Sequence, residues 1–336
     1  MTAKPKFFRA SLAPLYGKIA RGEVNGFTVP AFNLRTLVFE SARAVFRAAK
    51  KVKASVFIFE LARSEITYTA QSPNDYATAV LAAAVKEKWQ GPIFLQGDHF
   101  KIKKENYQEN KEQEIEDLKN LIKEAIDAGF YNIDIDCSAL DLQENIEKTN
   151  QFIEFIKKNQ PQGVVVNIGG EVGEIGGENT SVAGLIEFLQ GVKGIGKVAV
   201  QTGTSHGKGG QIDWGLLENL SQTAKRFGLA GIVQHGASTL PKIEFNKFPV
   251  AGVCEIHLAT ELMDIVLQSR YFPRDLKEKI KTKQDLGKYK QDIDTISSAA
   301  VKKIMKELEK EFIFFFNEFK LSGTASRRGG LHKLFY

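Results

Sequence analysis

The chain of 336 residues is long enough to bury a large core, and its 43% hydrophobic content and 29 glycines are typical of a globular enzyme. No apolar run reaches the roughly 18–20 residues that a membrane span needs, and no long apolar segment follows the first residues as in a signal peptide. The net charge of +6 is mild and lysines alternate with glutamates, so neither nucleic-acid binding nor membrane association is expected. Only two cysteines, Cys137 and Cys254, are present, which predicts a reducing, cytoplasmic location.

Short apolar runs alternate with helical patterns along the chain. Helices are predicted at 7–21, 36–51, 74–88, 113–128, 141–159 and 182–191. Strands are predicted at 29–33, 56–59, 92–95, 132–136, 164–168, 197–201, 229–233 and 252–257. The polar segment 101–112 predicts a surface loop or a lid, and the glycine-rich segment 172–182 predicts a mobile loop.

The strand runs are almost continuously apolar, which is typical of parallel strands that helices cover on both faces. Eight strand–helix units therefore predict an α/β fold, a (β/α)₈ TIM barrel that forms a single domain over residues 1–336. Residues 262–336 are expected to be a mainly helical C-terminal extension, in which the phenylalanine-rich run 312–316 packs on the barrel or on a second subunit.

Three of the five histidines follow predicted strands. His99 comes directly after Asp98, His206 lies in a Gly-Thr-Ser-His-Gly sequence, and His235 begins a His-Gly-Ala-Ser sequence. The active site of a TIM barrel lies at the carboxyl ends of its strands, so these side chains are expected to share one cleft. Imidazoles suit Zn²⁺, so the pattern predicts a catalytic zinc site, at which Co²⁺ or Fe²⁺ could substitute. The alternative is three buried structural histidines.

In order and spacing, these motifs resemble those of class II, metal-dependent ketose-bisphosphate aldolases. The match runs from about Asn33 to Glu261. Three family motifs fall in the first part of the chain: Asp-His at 98–99, Ile-Asp at 135–136 and Glu-Leu-Gly-x-x-Gly-Gly at 171–177. Three more follow: Gly-Thr-x-His-Gly at 203–207, His-Gly-Gly-Ser at 235–238 and the late Asn-Val-Ala-Thr-Glu at 257–261. Any one motif is weak, but their number and order together are specific.

The resemblance implies reversible aldol cleavage of a phosphorylated ketose in glycolysis and gluconeogenesis. The expected substrate is fructose 1,6-bisphosphate, and the expected products are dihydroxyacetone phosphate and glyceraldehyde 3-phosphate. The expected metal ligands are His99, His206 and His235. The metal would stabilise the enediolate that forms when the carbon–carbon bond breaks. Family members are dimers or tetramers, so a homodimer or homotetramer is expected.

Three acids have roles that the resemblance implies and that the residues alone leave open. Asp98 is the expected acid/base, unless it only orients a metal-ligating histidine. Glu178 is expected to protonate the enediolate, unless it is a solvated loop carboxylate. Glu171 is expected either to support the metal ligands or to bind the metal in an alternate position.

Substrate binding is expected to depend largely on backbone N–H groups at small residues beyond the strands, because such residues let the backbone approach an anion. The predicted substrate and phosphate contacts are Asn33, Gly207, Lys208, Gly236, Ala237, Ser238, His257, Ala259 and Thr260. The carbonyls of Gly207 and Gly236 are also a candidate site for Na⁺ or K⁺.

The sequence departs from the family pattern close to the expected site. Phe100 replaces a glycine, Glu60 and Ala62 replace a Gln-x-Ser pair, and His257 replaces an asparagine that helps to hold the enediolate. His257 could donate to the enediolate, contact phosphate or pack in the barrel. These departures leave two alternatives: a non-catalytic regulatory subunit of an aldolase, or a lyase for another phosphorylated ketose such as tagatose 1,6-bisphosphate.

Overall fold

The computed structural model describes residues 7–173, 177–204 and 211–325, together with residues 331 and 334. Within these residues, nine strands and fourteen α-helices follow one another. The strands are β1 (Phe7–Arg9), β2 (Val29–Asn33), β3 (Ile58–Ala62), β4 (Gly91–Lys101), β5 (Asn132–Asp136), β6 (Asn167–Val172), β7 (Lys197–Val200), β8 (Ile232–Gln234) and β9 (Glu255–Leu258). The helices are α1 (Ala13–Ala20), α2 (Val38–Val52), α3 (Arg63–Thr69), α4 (Pro73–Lys86), α5 (Lys104–Glu109), α6 (Lys111–Asp127), α7 (Leu142–Asn159), α8 (Val182–Gly191), α9 (Trp214–Arg226), α10 (Lys247–Ala251), α11 (Thr260–Gln268), α12 (Arg274–Lys279), α13 (Lys290–Asp294) and α14 (Ser298–Glu318).

Eight of the strands, β2 to β9, close into a parallel barrel. Each of these strands pairs with the next one along the chain, and β9 pairs with β2 to complete the ring. Helices surround the barrel, which confirms the predicted (β/α)₈ TIM barrel with additional C-terminal helices. All eight carboxyl ends therefore meet at one mouth, where strand-end side chains can form a common site.

The amino-terminal segment differs from the helix predicted over 7–21. Its first residues form β1, which pairs in parallel with the start of β4, before β4 meets β5. Helix α1 begins only at Ala13, with a proline in its first turn. The apolar pattern of this segment did not distinguish a short strand from a helix, because pairing with a distant strand decided the outcome.

The polar segment 101–112, predicted to be a loop or a lid, contains the short helix α5 and the start of α6. Tyr107 on α5 is buried. Helix α6 begins after Asn110, whose side-chain oxygen accepts a hydrogen bond from the backbone N–H of Gln113. One buried aromatic side chain and one helix cap thus order a stretch that its polar composition had assigned to a loop.

The C-terminal helix α14 packs against α2 and the barrel. Its phenylalanines Phe312, Phe315 and Phe316 are fully buried, and the ring of Phe312 lies 4.8 Å from the ring of Phe32 on β2, centroid to centroid. The phenylalanine run is therefore part of the core of this chain. None of the described helices is long and apolar enough to cross a lipid bilayer.

A β-bulge in β4 lies where the strand carries its two functional side chains. The register of β4 with β5 shifts between Gly97 and Phe100, and His99 has a φ of 41°, in the left-handed region. In a regular strand, consecutive side chains point to opposite faces. Because of the bulge, Asp98 and His99 both line the mouth of the barrel. The strained φ marks this position as a functional candidate.

The ring of Phe100 folds back over Gly97. This contact predicts that a methyl group added at Gly97 destabilises the protein. In Gly97→Ala, the new Cβ would lie 2.5–2.8 Å from three ring atoms of Phe100, which is buried and cannot move away easily. We expect this variant to lose about 1–3 kcal/mol of unfolding free energy, measured by urea denaturation. The control is Gly215→Ala on α9, where the nearest atom is 3.6 Å away. Equal stability of the two variants would contradict this account of the bulge.

Candidate active site

A polar cleft opens at the carboxyl ends of the strands, as the sequence predicted. It is lined by Asn33, Arg35, Ala62, Ser64, Glu65, Asp98, His99, His235, Gly236, Ser238, His257, Ala259, Thr260 and Lys283. Nine of the predicted site residues lie in this lining. The predicted residues His206, Gly207 and Lys208 fall outside the residues that the structure describes.

Asp98 is buried at the base of the cleft and accepts a hydrogen bond on each of its oxygens. The side-chain amide of Asn33 donates to Oδ2 at 3.2 Å, and Nδ1 of His257 lies 3.1 Å from Oδ1. Burial opposes the charged form, but attraction to His99 and His257 outweighs it and holds the pKa of Asp98 well below its usual value. The carboxylate is therefore ionised and fixed in orientation, as a catalytic base requires.

His99 is oriented by two buried acids. Its Nδ1 lies 3.0 Å from Oδ2 of Asp136 and 3.0 Å from Oε2 of Glu171. Burial raises the pKa of Asp136, but the hydrogen bond from His99 outweighs this effect and lowers that pKa to about 2. Burial, together with the nearby Asp136 charge, raises the pKa of Glu171 to about 7. Acids that hold one nitrogen of an imidazole fix its ring and its tautomer, as is usual for a metal-ligating histidine.

His235 completes a donor set that fits a divalent metal. Its ring centroid lies 4.2 Å from that of His99. One potential ligand atom from each of His99, Glu171 and His235 lies within 4.8 Å of the other two. Two imidazoles and one carboxylate match the ligand types of catalytic zinc sites. Of the three predicted histidine ligands, the two that the structure describes thus lie together, and Glu171 joins them.

His257 lines the cleft and is buried among acidic side chains. Its Nδ1 faces Asp98, and its Nε2 lies 2.7 Å from Oε1 of Glu255. Oε2 of Glu60 lies 3.4 Å from Nδ1. Burial disfavours a charged ring, but attraction to Glu60 and Asp98 outweighs it and raises the pKa of His257 well above its ordinary value. Acidic groups therefore face both ring nitrogens.

Below His257, the barrel interior contains a buried ionic network instead of a purely apolar core. Lys197 is fully buried, and its ammonium group donates to Glu255, to Asp134 at 2.9 Å and to the side-chain oxygen of Gln96 at 2.9 Å. The hydroxyl of Tyr16 donates to the other oxygen of Glu255. One lysine thus compensates two carboxylates at the centre of the barrel, and Glu255 connects that lysine to His257.

The predicted phosphate-binding residues lie together beyond β8 and β9. Gly236 adopts a φ of 68° and precedes a 3₁₀ helix over Ala237–Thr239, in which Ala237 is fully buried. The backbone N–H of Ala259 donates to Oγ of Ser238 at 3.2 Å, so this N–H already has a partner. Thr260 begins helix α11, whose amino end faces the cleft.

Glu178 is the predicted site residue that the structure places apart. It is exposed, in the segment between β6 and α8, and it does not line the cleft. Its neighbours at 174–176 fall outside the described residues. Its predicted role as an acid stays a prediction.

Several polar residues of the site were not identified from the sequence. Arg35 donates to Glu65 at 2.6 Å, and Glu65 in turn accepts from Asn33. Lys197 and Glu255 hold the interior network. A signal was available, because a charged residue at the start of an apolar strand is unusual in a barrel core. The sequence could not indicate which residues these charges pair with.

Comparison with known proteins agrees with this geometry. A family model described as fructose-bisphosphate aldolase class-II matches residues 18–317. The YdjI aldolase from Escherichia coli K12 superposes with a TM-score of 0.67 at 18% identity, over 95% of this chain and 100% of that one. A putative fructose-1,6-biphosphate aldolase from Coccidioides immitis superposes with a TM-score of 0.66 at 20% identity, over 93% of this chain and 97% of that one. Fructose-bisphosphate aldolase from Campylobacter jejuni superposes with a TM-score of 0.64 at 18% identity, over 95% of this chain and 97% of that one. At these identities the structures establish a shared fold.

The interior network predicts a large stability effect at Lys197. In Lys197→Met, the carboxylates of Asp134 and Glu255 lose their buried counter-charge, so we expect a loss of about 3–5 kcal/mol of unfolding free energy. Urea denaturation at neutral pH measures this loss. The control is Lys158→Met on the exposed side of α7, which should change stability by less than about 0.5 kcal/mol. A Lys197→Met variant as stable as this control would disprove the ionic network.

Proposed function

The chain belongs to the class II fructose-bisphosphate aldolase family, and on that premise we propose that it cleaves fructose 1,6-bisphosphate reversibly to dihydroxyacetone phosphate and glyceraldehyde 3-phosphate. The observation that carries the proposal is the ionised Asp98 beside the donor set of His99, Glu171 and His235. A fixed base next to ligands for a divalent metal is what cleavage beside a ketone needs.

The proposed metal is Zn²⁺, for which Co²⁺ or Fe²⁺ could substitute. His99 and His235 would hold it together with His206, and Glu171 would provide an alternate ligand. When bound, the metal supplies Lewis-acid stabilisation of the negative charge that develops on the ketose oxygens. The carbonyls of Gly207 and Gly236 are proposed to bind Na⁺ or K⁺.

In the cleavage direction, Asp98 takes the proton from the hydroxyl group on the carbon beyond the bond that breaks. That carbon becomes the carbonyl of the leaving aldehyde. In the condensation direction, Asp98 returns the proton to the aldehyde oxygen. Asn33 and His257 keep the carboxylate aimed at this hydroxyl group. Glu178 is proposed to protonate the carbanion carbon, which would require its loop to approach the cleft.

One phosphate of the substrate is proposed to lie against the amino end of α11 and the turn that follows β8. Helix α11 has nine residues, and the positive end of its dipole faces the cleft. Gly236, Ser238, Ala259 and Thr260 line the cleft at this helix end. The backbone of Ala237 is also proposed to contact the phosphate, and Lys208 would add a charge.

Two arguments favour an enzyme over a non-catalytic subunit. Burying Asp98, Glu171 and Glu60 away from water costs free energy that a purely structural barrel would avoid. Acids with strongly shifted pKa values in one cleft are also typical of catalytic sites. The protein is further proposed to act in the cytoplasm as a homodimer or homotetramer.

The first test is direct. Metal-loaded enzyme incubated with fructose 1,6-bisphosphate should release triose phosphate, which is measured by coupled reduction or oxidation of a nicotinamide cofactor. EDTA should abolish the release, and added Zn²⁺ should restore it. Tagatose 1,6-bisphosphate, assayed in parallel, tests the alternative ketose. Failure to cleave any phosphorylated ketose in a preparation shown to contain metal would reject the proposal and favour the regulatory subunit.

The second test addresses the base. Asp98→Asn keeps the size of the side chain but cannot accept the proton, so we expect kcat to fall by about 10²–10⁴-fold. Bound metal, measured by elemental analysis, should stay unchanged. The control is Asp127→Asn, at an exposed acid that pairs with Lys123 on α6, which should retain full activity. Wild-type kcat in Asp98→Asn would rule out Asp98 as the base.

A further inference from the structure

We infer that His257 is a positioning residue that aims the carboxylate of Asp98 at its substrate through the linear relay Asp98–His257–Glu255. This role differs from donation to the enediolate, from contact with phosphate and from passive packing. The inference rests on the proposed function, because it concerns the base of that reaction. It is carried by the geometry of one buried imidazole between two acids.

The ring of His257 is fixed at both ends. Its two nitrogens lie 3.1 Å from Oδ1 of Asp98 and 2.7 Å from Oε1 of Glu255, and the residue is only 5% exposed. Rotation of the ring about its Cβ–Cγ bond would break both contacts at once. The direction of the Nδ1–H bond, and with it the position of Oδ1 of Asp98, is therefore set by Glu255.

Glu255 is itself immobilised from several sides. Lys197 and the side-chain amide of Gln96 donate to its Oε1, and Tyr16 donates to its Oε2. All four residues are buried. The relay therefore ends in a carboxylate that cannot turn without losing the buried hydrogen bonds from Lys197, Gln96 and Tyr16.

The second oxygen of Asp98 is held by an independent arm. Asn33 donates to Oδ2 and also to Glu65, which Arg35 holds at 2.6 Å. Fixing both oxygens fixes the plane of the carboxylate, so the remaining lone pairs point in defined directions. Positioning of a base at this precision can be worth on the order of 100-fold in rate.

The same geometry argues against two other roles for His257. Both ring nitrogens of His257 face carboxylate oxygens. Neither nitrogen is therefore free to bind a metal ion or to donate to an enediolate oxygen, although an atom of His257 lies within 4.8 Å of ligand atoms of Asp98 and His235. Both roles remain measurable outcomes of the experiment.

Two amide variants separate the two ends of the ring. In His257→Asn, the amide nitrogen can occupy the place of Nδ1 and still donate to Asp98. In His257→Gln, the amide reaches the place of Nε2 and Glu255, but not Asp98. We expect kcat for cleavage to fall about 100-fold in His257→Gln and by less than about 10-fold in His257→Asn, with KM for the ketose little changed in both.

A second readout isolates the step that needs Asp98. The enzyme should exchange one carbon-bound hydrogen of dihydroxyacetone phosphate with deuterium from the solvent, which is observed by proton NMR in D₂O. In this exchange the group that protonates the carbanion carbon, proposed to be Glu178, takes a proton from the carbon next to the ketone and returns a deuteron that it has acquired from D₂O. No hydroxyl proton passes to Asp98. His257→Gln should therefore keep wild-type exchange while cleavage is lost. Equal loss of exchange and cleavage would overturn the inference and assign His257 to the enediolate.

Metal content and folding complete the experiment. Elemental analysis should find the same bound metal in wild type and His257→Gln; a loss of metal would overturn the inference in favour of ligation. If His257→Gln does not fold, Glu255→Gln tests the far end of the relay. The contact of Nδ1 with Asp98 is kept and only its anchor is lost, so kcat for cleavage should fall by less than about 10-fold, as in His257→Asn, while exchange stays at the wild-type rate. Unchanged cleavage in Glu255→Gln would overturn the relay. The control Ser55→Ala removes the buried hydrogen bond between Ser55 and Thr324, and it should lower the melting temperature without changing kcat.

Failure of the inference can be told apart from failure of the proposed function. A wild-type enzyme that neither cleaves nor exchanges overturns the proposed function, and the inference with it. A wild-type enzyme that does both, compared with a His257→Gln variant that cleaves at the wild-type rate, overturns the inference alone.

Discussion

Glu255 is the buried carboxylate on which the interior of the barrel depends, because it contacts both Lys197 and His257, with Asp134 and Glu60 buried nearby. In a medium of low dielectric constant, unpaired charges of this kind would unfold the protein. Lys197 and His257 both contact Glu255, and burial raises the pKa of Glu60 well above its ordinary value, which favours its neutral form. Burial likewise raises the pKa of Asp134, to about 6, although attraction to the nearby Lys197 acts in the opposite direction.

This constraint connects the centre of the barrel to its mouth. The network that compensates Glu255 also orients His257, and His257 contacts the acid that we propose as the base. Stability and chemistry therefore depend on the same hydrogen bonds. The bulge in β4 makes the second connection, because it places Asp98 and His99 on one side of a strand that would otherwise separate them. A rigid interior and a strained strand end together fix the proposed base beside the proposed metal ligands.

The predictable part of the fold follows from strand composition. All eight barrel strands overlap runs that the sequence located, although β6, β8 and β9 each begin three residues after the predicted start. Parallel pairing places their ends at one mouth, so Asp98, His99 and His235 could be assigned to a common cleft. The strand at Phe7–Arg9 and the helix at Lys104–Glu109 were not predicted, because distant pairing and one buried tyrosine decided them.

By itself, the sequence determined the barrel and the end of the barrel at which strand-end side chains meet, since these follow from local periodicity and chain order. It did not determine what His257 contacts or how Lys197 is compensated. The contact of Lys197 with Glu255 joins side chains 58 positions apart, and that of His257 with Asp98 joins side chains 159 positions apart. They depend on which interior side chains the closed barrel brings to the same level, and only the tertiary structure decides that.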